Sequence, residues 1–237
     1  MDLIRRFENR IFKMTHPEIG EVWQFHSVCP QNESGHSDNW AVSPRRLQDL
    51  IIEYKQRNCS FVSVEELSER IRWSFSAFGK QFVAITLDDG FADNYEYALP
   101  VFEEYGVPFC IYVSPGGIIA GNNNVYLNRR QLKELSENRL CTIGAHTMSH
   151  SRLPKLSFEK QQEEIINSKL WLEDVISKPV EHFAYPFGEY NADTLKIMCD
   201  FEFHTAVMGW GGSVRMGCDR HRIPRYVIWE NVKYKHL

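Results

Sequence analysis

The 237-residue sequence lacks the features of a membrane protein, of a nucleic-acid-binding protein and of a disulfide-rich domain. No segment approaches the about 20 consecutive apolar residues that a transmembrane helix needs. Acidic residues outnumber basic ones, and the formal net charge of −4 argues against a nucleic-acid partner. The six cysteines are scattered without a CxxC pair, so we expect reduced thiols in a reducing compartment.

The first 14 residues also lack the uninterrupted apolar segment of a secretory signal, and we therefore expect a cytoplasmic protein. Export is the alternative if a leader precedes this sequence. Apolar residues recur there at helical spacing among arginines and a lysine. This pattern predicts an amphipathic helix, within an N-terminal extension over residues 1–20, that packs on the domain. Peripheral contact of residues 1–14 with a membrane surface is the alternative.

Strand and helix patterns alternate along the rest of the chain. Strands are predicted at 21–28, 60–62, 82–87, 107–113, 140–144, 182–185, 203–208 and 225–229, and helices at 43–54, 64–71, 93–105, 128–138, 157–176 and 193–201, with a loop at 114–117. Such alternation implies parallel strands with right-handed crossovers. About seven βα units without a linker predict one domain over residues 1–237, folded as a closed or nearly closed α/β barrel.

Two acidic residues and a glycine, Asp88, Asp89 and Gly90, directly follow the apolar segment at 82–87. Neighbouring side chains of a strand leave on opposite faces, so the two carboxylates can serve different purposes. Two like charges this close repel, which favours pairing, protonation or the binding of a cation by one of them. An ordinary turn that caps a helix is the alternative, because Asp-Gly is a common turn dipeptide.

A second polar group, His146 and His150, follows the strand predicted at 140–144. Their spacing on a helical turn places both imidazoles on one face, with Cβ atoms about 5–6 Å apart, which suits chelation of one ion. The carboxyl ends of barrel strands meet at one face, where Asp88 and Asp89 are also expected. A chance pair is the alternative in a chain with nine histidines.

Two imidazoles and one carboxylate with an open position form a catalytic zinc arrangement. We therefore predict a site for one divalent transition metal, held by Asp89, His146 and His150. Zinc is the expected metal, and cobalt or nickel would fit the same ligands. Asp88 is then left as a base for the attacking water.

Three segments resemble the first three motifs of the polysaccharide deacetylases, the NodB-homology family that forms family four of the carbohydrate esterases. They are TLDDG at 86–90, HTMSH at 146–150 and FAYPFG at 183–188, and they occur in the family's order within residues 22–228. The resemblance implies a distorted (β/α)7 barrel and metal-dependent removal of acetyl groups from sugars. It also implies the catalytic base and the three metal ligands named above, and makes the backbone N–H of Phe187 a donor to the oxyanion.

The chain departs from the family's pattern at the arginine that usually opens the third motif and orients the base. Ala184 stands in that position, and Arg225 is the candidate that could supply the missing guanidinium. A surface ion pair is the alternative for Arg225.

A second departure concerns the acid that protonates the leaving amine. The family commonly places this histidine in a C-terminal Leu-x-His, whereas His236 here is a tail residue. A branch that resembles the exopolysaccharide poly-N-acetylglucosamine deacetylases takes it from the first strand, in a Tyr-His-x-Val pattern. The segment QFHSV matches with Phe25 in the tyrosine place, which makes His26 the candidate general acid. A buried core histidine is the alternative.

Aromatic residues near the predicted strand ends are candidates for substrate contact. Tyr185, Trp210 and Trp229 could line an acetyl pocket or a flat sugar platform, with core packing as the alternative for each.

Together these features predict a metal-dependent hydrolase that removes acetyl groups from an N-acetylated amino sugar in an oligosaccharide, a polysaccharide or a glycan precursor. A hydrolase of another linear amide or ester is the alternative among enzymes, since the predicted groups act on the carbonyl rather than on the sugar. A sugar-binding module with a degenerate site is the alternative outside enzymes. The sequence does not define the oligomeric state.

Overall fold

The computed structural model describes residues 17–30, 40–72 and 81–231. The amphipathic helix predicted over residues 1–14, most of the polar loop that the sequence predicts over residues 30–39 and the tail that carries His236 lie outside these ranges.

Eleven strands and seven α-helices are defined within the described ranges. The strands are β1 Glu18–Phe25, β2 Ser27–Val28, β3 Ala41–Val42, β4 Ser60–Val62, β5 Phe82–Leu87, β6 Phe109–Val113, β7 Cys141–Ala145, β8 His182–Ala184, β9 Thr205–Val207, β10 Val214–Arg215 and β11 Tyr226–Val227. The helices are α1 Pro44–Gln56, α2 Val64–Arg72, α3 Leu99–Tyr105, α4 Pro115–Ile119, α5 Arg129–Glu137, α6 Phe158–Ile176 and α7 Ala192–Asp200. A π-helical turn, Asn94–Ala98, precedes α3, and 3-10 turns cover Leu153–Lys155 and Pro186–Gly188.

The main sheet is a curled ring of parallel strands. Its order is β11-β1-β5-β6-β7-β8-β9, and all of these neighbours pair in parallel. A parallel bridge between Val207 and Ile223 brings the segment before β11 beside β9, so that the ring nearly closes. Strand β4 pairs in parallel with β5, and β10 pairs antiparallel with β1. The distorted (β/α)7 barrel expected from the resemblance is therefore confirmed.

The strands form because their apolar side chains are buried on both faces of the sheet. All six residues of β5 are buried, as its continuously apolar sequence predicts. Close packing also requires a glycine in β7, since a Cβ at Gly144 would lie 2.3 Å from Cδ1 of Tyr112. This dense interior fixes the strand ends that carry the candidate site.

Several element boundaries differ from the sequence-based expectation, and two of these differences are informative. The first strand begins at Glu18 rather than at residue 21, because Glu18 and Gly20 pair with β10. The stretch predicted as a loop at 114–117 contributes to α4, whose Gly116 N–H donates to the carbonyl of Met148 at 2.8 Å. The short helix thereby packs on the loop between the two candidate histidine ligands.

None of the helices in the described part of the chain combines the length and the apolar character that crossing a bilayer requires.

Candidate active site

The candidate metal ligands, the candidate base and the candidate acid converge on one cavity of about 600 Å³ at the carboxyl ends of the parallel strands. Asp88 and Asp89 follow β5, His146 follows β7, and His26 follows β1. The cavity is lined by these residues and by Gln24, Trp40, Phe91, His150, Arg152, Phe187, Glu189, Gly209, Trp210, Val227 and Trp229. The barrel thus brings together residues that lie far apart in the sequence, as the strand-end argument predicts.

The three predicted metal ligands form one cluster. One ligand atom each from Asp89, His146 and His150 lies within 4.8 Å of the others. The Asp89 Oδ1 atom is 3.5 Å from Nε2 of His146 and 3.2 Å from Nε2 of His150. Bonds of about 2.0 Å at tetrahedral angles separate neighbouring ligand atoms by about 3.3 Å, so this spacing suits a zinc-sized ion.

The surroundings of these ligands also fit a cation. Oδ1 of Asp89 is buried and has no hydrogen-bond partner within the described residues. A buried carboxylate oxygen in that state carries a large desolvation cost unless a positive charge offsets it. Nδ1 of His146 lies 2.8 Å from the carbonyl oxygen of Ala184, which fits donation by Nδ1–H and leaves the Nε2 lone pair for a metal.

The histidine loop is held from outside by one residue of α6. The side-chain carboxylate of Glu164 accepts hydrogen bonds from the N–H and the hydroxyl of Ser149 at 2.9 and 2.7 Å. The backbone carbonyl of Glu164 accepts a hydrogen bond from the N–H of Met148 at 2.9 Å. This support fixes the chain between His146 and His150.

Three site residues have left-handed backbone conformations that non-glycine residues rarely adopt. The φ angles are 72° at Asp89, 56° at His150 and 58° at Phe187. Such conformations cost of order 1–3 kcal/mol each and persist when the surrounding structure imposes them. Their concentration at one cavity is typical of a functional site.

The pKa values of the two imidazoles in the cluster are shifted in opposite directions. Burial lowers the pKa of His150. Burial also opposes the protonation of His146, but the Asp89 and Asp88 carboxylates outweigh it and raise the pKa of that imidazole.

Asp88 and Arg225 form a buried ion pair in the barrel interior. The exposed fractions of the whole residues are 2% and 1%. Nη1 and Nη2 of Arg225 donate to Oδ1 and Oδ2 of Asp88, each at 2.7 Å, and Nε donates to the carbonyl of Met208 at 2.5 Å. Burial opposes ionisation of Asp88, but the Arg225 guanidinium outweighs it and holds the pKa of the carboxyl well below its usual range. Arg225 therefore supplies the guanidinium that Ala184 lacks, and this guanidinium contacts the candidate base directly. The alternative of a surface ion pair for Arg225 is wrong.

Gln24 connects the candidate base with the candidate acid. Its Nε2 donates to Oδ2 of Asp88 at 2.7 Å and lies 3.5 Å from Nε2 of His26. His26 is half-buried at the cavity wall, and its burial lowers the pKa of the imidazole although Asp88 and Asp89 act in the opposite direction. The structure thus brings His26 to the cavity; its role as the acid stays a prediction.

The third motif places one of its two candidates at the cavity and the other in the core. Phe187 lines the cavity with 42% of the residue exposed. Tyr185 is only 1% exposed and donates its hydroxyl to the carbonyl of His221 at 2.8 Å. The predicted substrate contact of Tyr185 is therefore corrected to core packing, because its ring packs on Phe183 and away from the cavity wall.

Several cavity residues were not foreseen from the sequence. Gln24 lies in β1, two residues before His26, so the two-residue period of a strand was the one signal that could have placed it beside the candidate acid. Arg152 stacks on the ring of Phe187 at 3.8 Å and forms an ion pair with Glu189, but no sequence pattern links these residues. Trp40 stands alone before β3 and likewise carries no motif. Trp210 and Trp229, by contrast, lie at the cavity as candidates for substrate contact.

Comparisons with known proteins identify the family to which this chain belongs. The family model described as polysaccharide deacetylase matches residues 76–206, which is more than half of the chain. YxkH from Bacillus subtilis (strain 168) is 34% identical over 114 residues, and the match spans 48% of this chain but only 39% of that protein. The poly-beta-1,6-N-acetyl-D-glucosamine N-deacetylase of Staphylococcus epidermidis is 25% identical over 201 residues, 80% of this chain and 68% of that protein.

Solved structures show the same fold. The Streptococcus pyogenes deacetylase PplD in complex with acetate has a TM-score of 0.79 at 24% identity, covering 89% of this chain and 92% of its own. IcaB from Ammonifex degensii has a TM-score of 0.78 at 22% identity over the same shares. The family match and the strand-end cluster lead to one conclusion: this chain belongs to the polysaccharide deacetylase family.

Proposed function

We propose that this protein is a metal-dependent N-deacetylase that acts on an N-acetylated amino sugar within an oligosaccharide or polysaccharide. The observation that carries the proposal is the convergence on one cavity of a metal-ligand cluster, an oriented carboxylate and a histidine. Family membership supports a carbohydrate substrate. The relative from Staphylococcus epidermidis supports an amide-linked acetyl group and a place for the chain in the poly-N-acetylglucosamine branch.

Asp89, His146 and His150 would hold the metal. A divalent transition metal bound there would lower the pKa of a water molecule towards about 7 and would polarise the acetyl carbonyl. Zinc is the expected ion, with cobalt and nickel as alternatives for the same ligands.

Asp88 takes the proton from the water that attacks the acetyl carbon. Its carboxylate is ionised over the whole neutral range, because Arg225 holds its pKa low. Arg225 and Gln24 donate three hydrogen bonds to its two oxygens and so fix its direction. A base with a low pKa is weak, and its contribution therefore depends on position as much as on basicity.

The remaining groups act on the oxyanion and on the leaving amine. The Phe187 N–H is the candidate donor to the carbonyl oxygen as negative charge develops there. When the C–N bond breaks, His26 supplies the proton that the sugar amine needs. The products are acetate and a free amino sugar.

A hydrolase of another linear amide or ester would use the same groups, since they contact the carbonyl. The aromatic wall of the cavity favours the sugar, because flat apolar rings match the apolar face of a pyranose. A degenerate binding module is disfavoured by the buried Arg225, which restores the guanidinium that the third motif lacks.

The proposal is tested by acetate release from a β-1,6-linked N-acetylglucosamine pentamer, with metal content measured on the same samples. The Asp88→Asn variant should lose at least about a hundredfold in kcat, since a positioned proton acceptor contributes about 10²–10⁴-fold. It should keep its metal, because the side chain at this position is not one of the three predicted ligands. Turnover that survives in this variant would remove Asp88 from the role of base, and a wild-type protein that releases no acetate would refute the deacetylase.

A further inference from the structure

Two tryptophans form one wall of the cavity beside the candidate acid. The rings of Trp40 and Trp229 are 4.7 Å apart at an interplanar angle of 34°, and the Trp40 ring is 4.6 Å from His26. Trp40 is 42% exposed and Trp229 is half-buried. Large exposed aromatic surface is unfavourable in water, and its concentration at a cavity indicates a ligand.

A hydrogen-bonded clip joins the two chain segments that carry these tryptophans. The Glu230 carboxylate accepts from the N–H of Ser43 at 2.7 Å and from its hydroxyl at 2.8 Å. Glu230 directly follows Trp229, and Ser43 lies three residues after Trp40. A charged acceptor with two donors is among the stronger hydrogen-bonded arrangements, so the clip fixes the relative position of the two rings.

Neither tryptophan contributes a reacting group, and Glu230 does not line the cavity. The wall lies next to His26, the residue proposed to protonate the leaving sugar amine. The sugar unit that precedes or follows the reacting one in a polymer would therefore pass over this wall. The apolar C–H face of a pyranose ring is the ligand surface that a pair of indole rings fits.

We propose that Trp40 and Trp229 form a separate contact surface for a neighbouring pyranose unit of the substrate, and that Glu230 is the positioning residue that holds this surface together. The inference rests on the proposed function, because it takes the polymer to be bound with its acetyl group at the metal cluster. It goes further by assigning recognition of the polymer to residues outside the three motifs.

Glu230 is the residue of choice for the test. Ser43 also caps α1 by accepting from the N–H of Arg46, so a change there would disturb the helix as well. We compare Glu230→Ala, which removes the clip, with Glu230→Gln, whose amide oxygen can still accept one bond. Glu163→Ala, at an exposed ion pair on α6, is the matched control.

The holoenzymes are assayed on the β-1,6-linked N-acetylglucosamine pentamer and on 4-nitrophenyl acetate, which has no sugar. Glu230→Ala should raise KM for the pentamer about 5- to 10-fold, as expected for an aromatic contact of about 1 kcal/mol. Its kcat on the pentamer and its hydrolysis of the ester should stay within about twofold of wild type. The KM of Glu230→Gln for the pentamer should lie between those of wild type and Glu230→Ala. Glu163→Ala should match wild type on both substrates.

Two results would overturn the proposal. An unchanged KM for the pentamer would mean that the wall does not contact the polymer, and an equal loss on both substrates would mean that Glu230 supports the fold or the chemistry instead. Calorimetric binding of a β-1,6-linked glucose pentamer needs no turnover. It therefore distinguishes failure of the contact surface from failure of the proposed function. Weaker binding by Glu230→Ala than by wild type supports the surface even if no acetate is released; equal binding, or no binding by either protein, refutes it.

Discussion

The buried pair of Asp88 and Arg225 gives the most specific prediction about this molecule. Both side chains are almost fully excluded from water and share two hydrogen bonds of 2.7 Å. Replacing Arg225 by Met fills much of the same volume but leaves the Asp88 carboxylate with Gln24 as its remaining donor among the described partners. Removing one partner of a buried pair costs about 3–5 kcal/mol, so Arg225→Met should lower the free energy of unfolding by that amount at neutral pH.

The pH dependence of this loss follows from the pKa of Asp88. In the folded wild type this pKa lies below its unfolded value, so the group stabilises the protein above the unfolded pKa and loses this effect as the pH falls. In the variant, burial without the guanidinium raises the pKa of Asp88, and the protonated form becomes the favoured one. The difference between the two proteins should therefore be largest near neutral pH and shrink towards pH 4.

The assay is urea unfolding followed by tryptophan fluorescence, in chelator so that no metal contributes. The double variant Arg225→Met with Asp88→Asn should recover a large part of the loss, since the neutral amide needs no counter-charge. Glu163→Ala, at an exposed ion pair, should change stability by less than about 1 kcal/mol. A loss below about 1 kcal/mol in Arg225→Met, or a double variant that is less stable than Arg225→Met itself, would refute the reasoning.

Two further predictions concern the scaffold. Gly144→Ala should lower the free energy of unfolding by about 1–3 kcal/mol in urea titrations, because the new Cβ would lie 2.3 Å from the ring of Tyr112, and an unchanged midpoint would show that β7 can shift freely. Burial raises the pKa of Asp93 to about 6, although the Ser27 hydroxyl donates to it at 2.5 Å. The folded pKa exceeds the unfolded one, so this group's stabilisation is complete below pH 4 and is lost as the pH rises through about 6, by up to about 3 kcal/mol. Asp93→Asn should remove that part of the pH dependence of the unfolding midpoint, and a variant with the wild-type slope would contradict it.

The cluster of predicted metal ligands could be anticipated from the sequence because Asp89 and His146 lie just after strands and His150 lies four residues after His146. Asp89 comes after a continuously apolar strand and His146 after another, and the barrel rule places such ends on one face. The role of Arg225 could be predicted from the sequence for a different reason. The family's pattern leaves a guanidinium missing at Ala184, so an arginine elsewhere had to be sought.

The other features of the site and of the fold depend on contacts between distant segments, which no local sequence pattern encodes. Trp40 and Trp229 meet through the Glu230 clip, which spans 187 positions between Ser43 and Glu230. Tyr185 directly follows β8, where the sequence allows either an exposed or a buried side chain. In the structure its hydroxyl donates to the carbonyl of His221 and its ring packs in the core. Helix α4 forms at a Ser-Pro-Gly-Gly sequence that is typical of a loop, since packing on Met148 outweighs the low helix propensity of glycine.

Reconstitution of the metal-free protein tests the central claim most directly. Protein stripped with a chelator is titrated with zinc, and acetate release from the β-1,6-linked N-acetylglucosamine pentamer is measured together with bound metal by elemental analysis. Activity should rise in proportion to bound zinc and reach its plateau at one equivalent, whereas His146→Ala should bind little zinc and stay inactive. Full activity in the stripped protein, or a His146→Ala variant that binds one equivalent and turns over normally, would contradict a catalytic metal held by Asp89, His146 and His150.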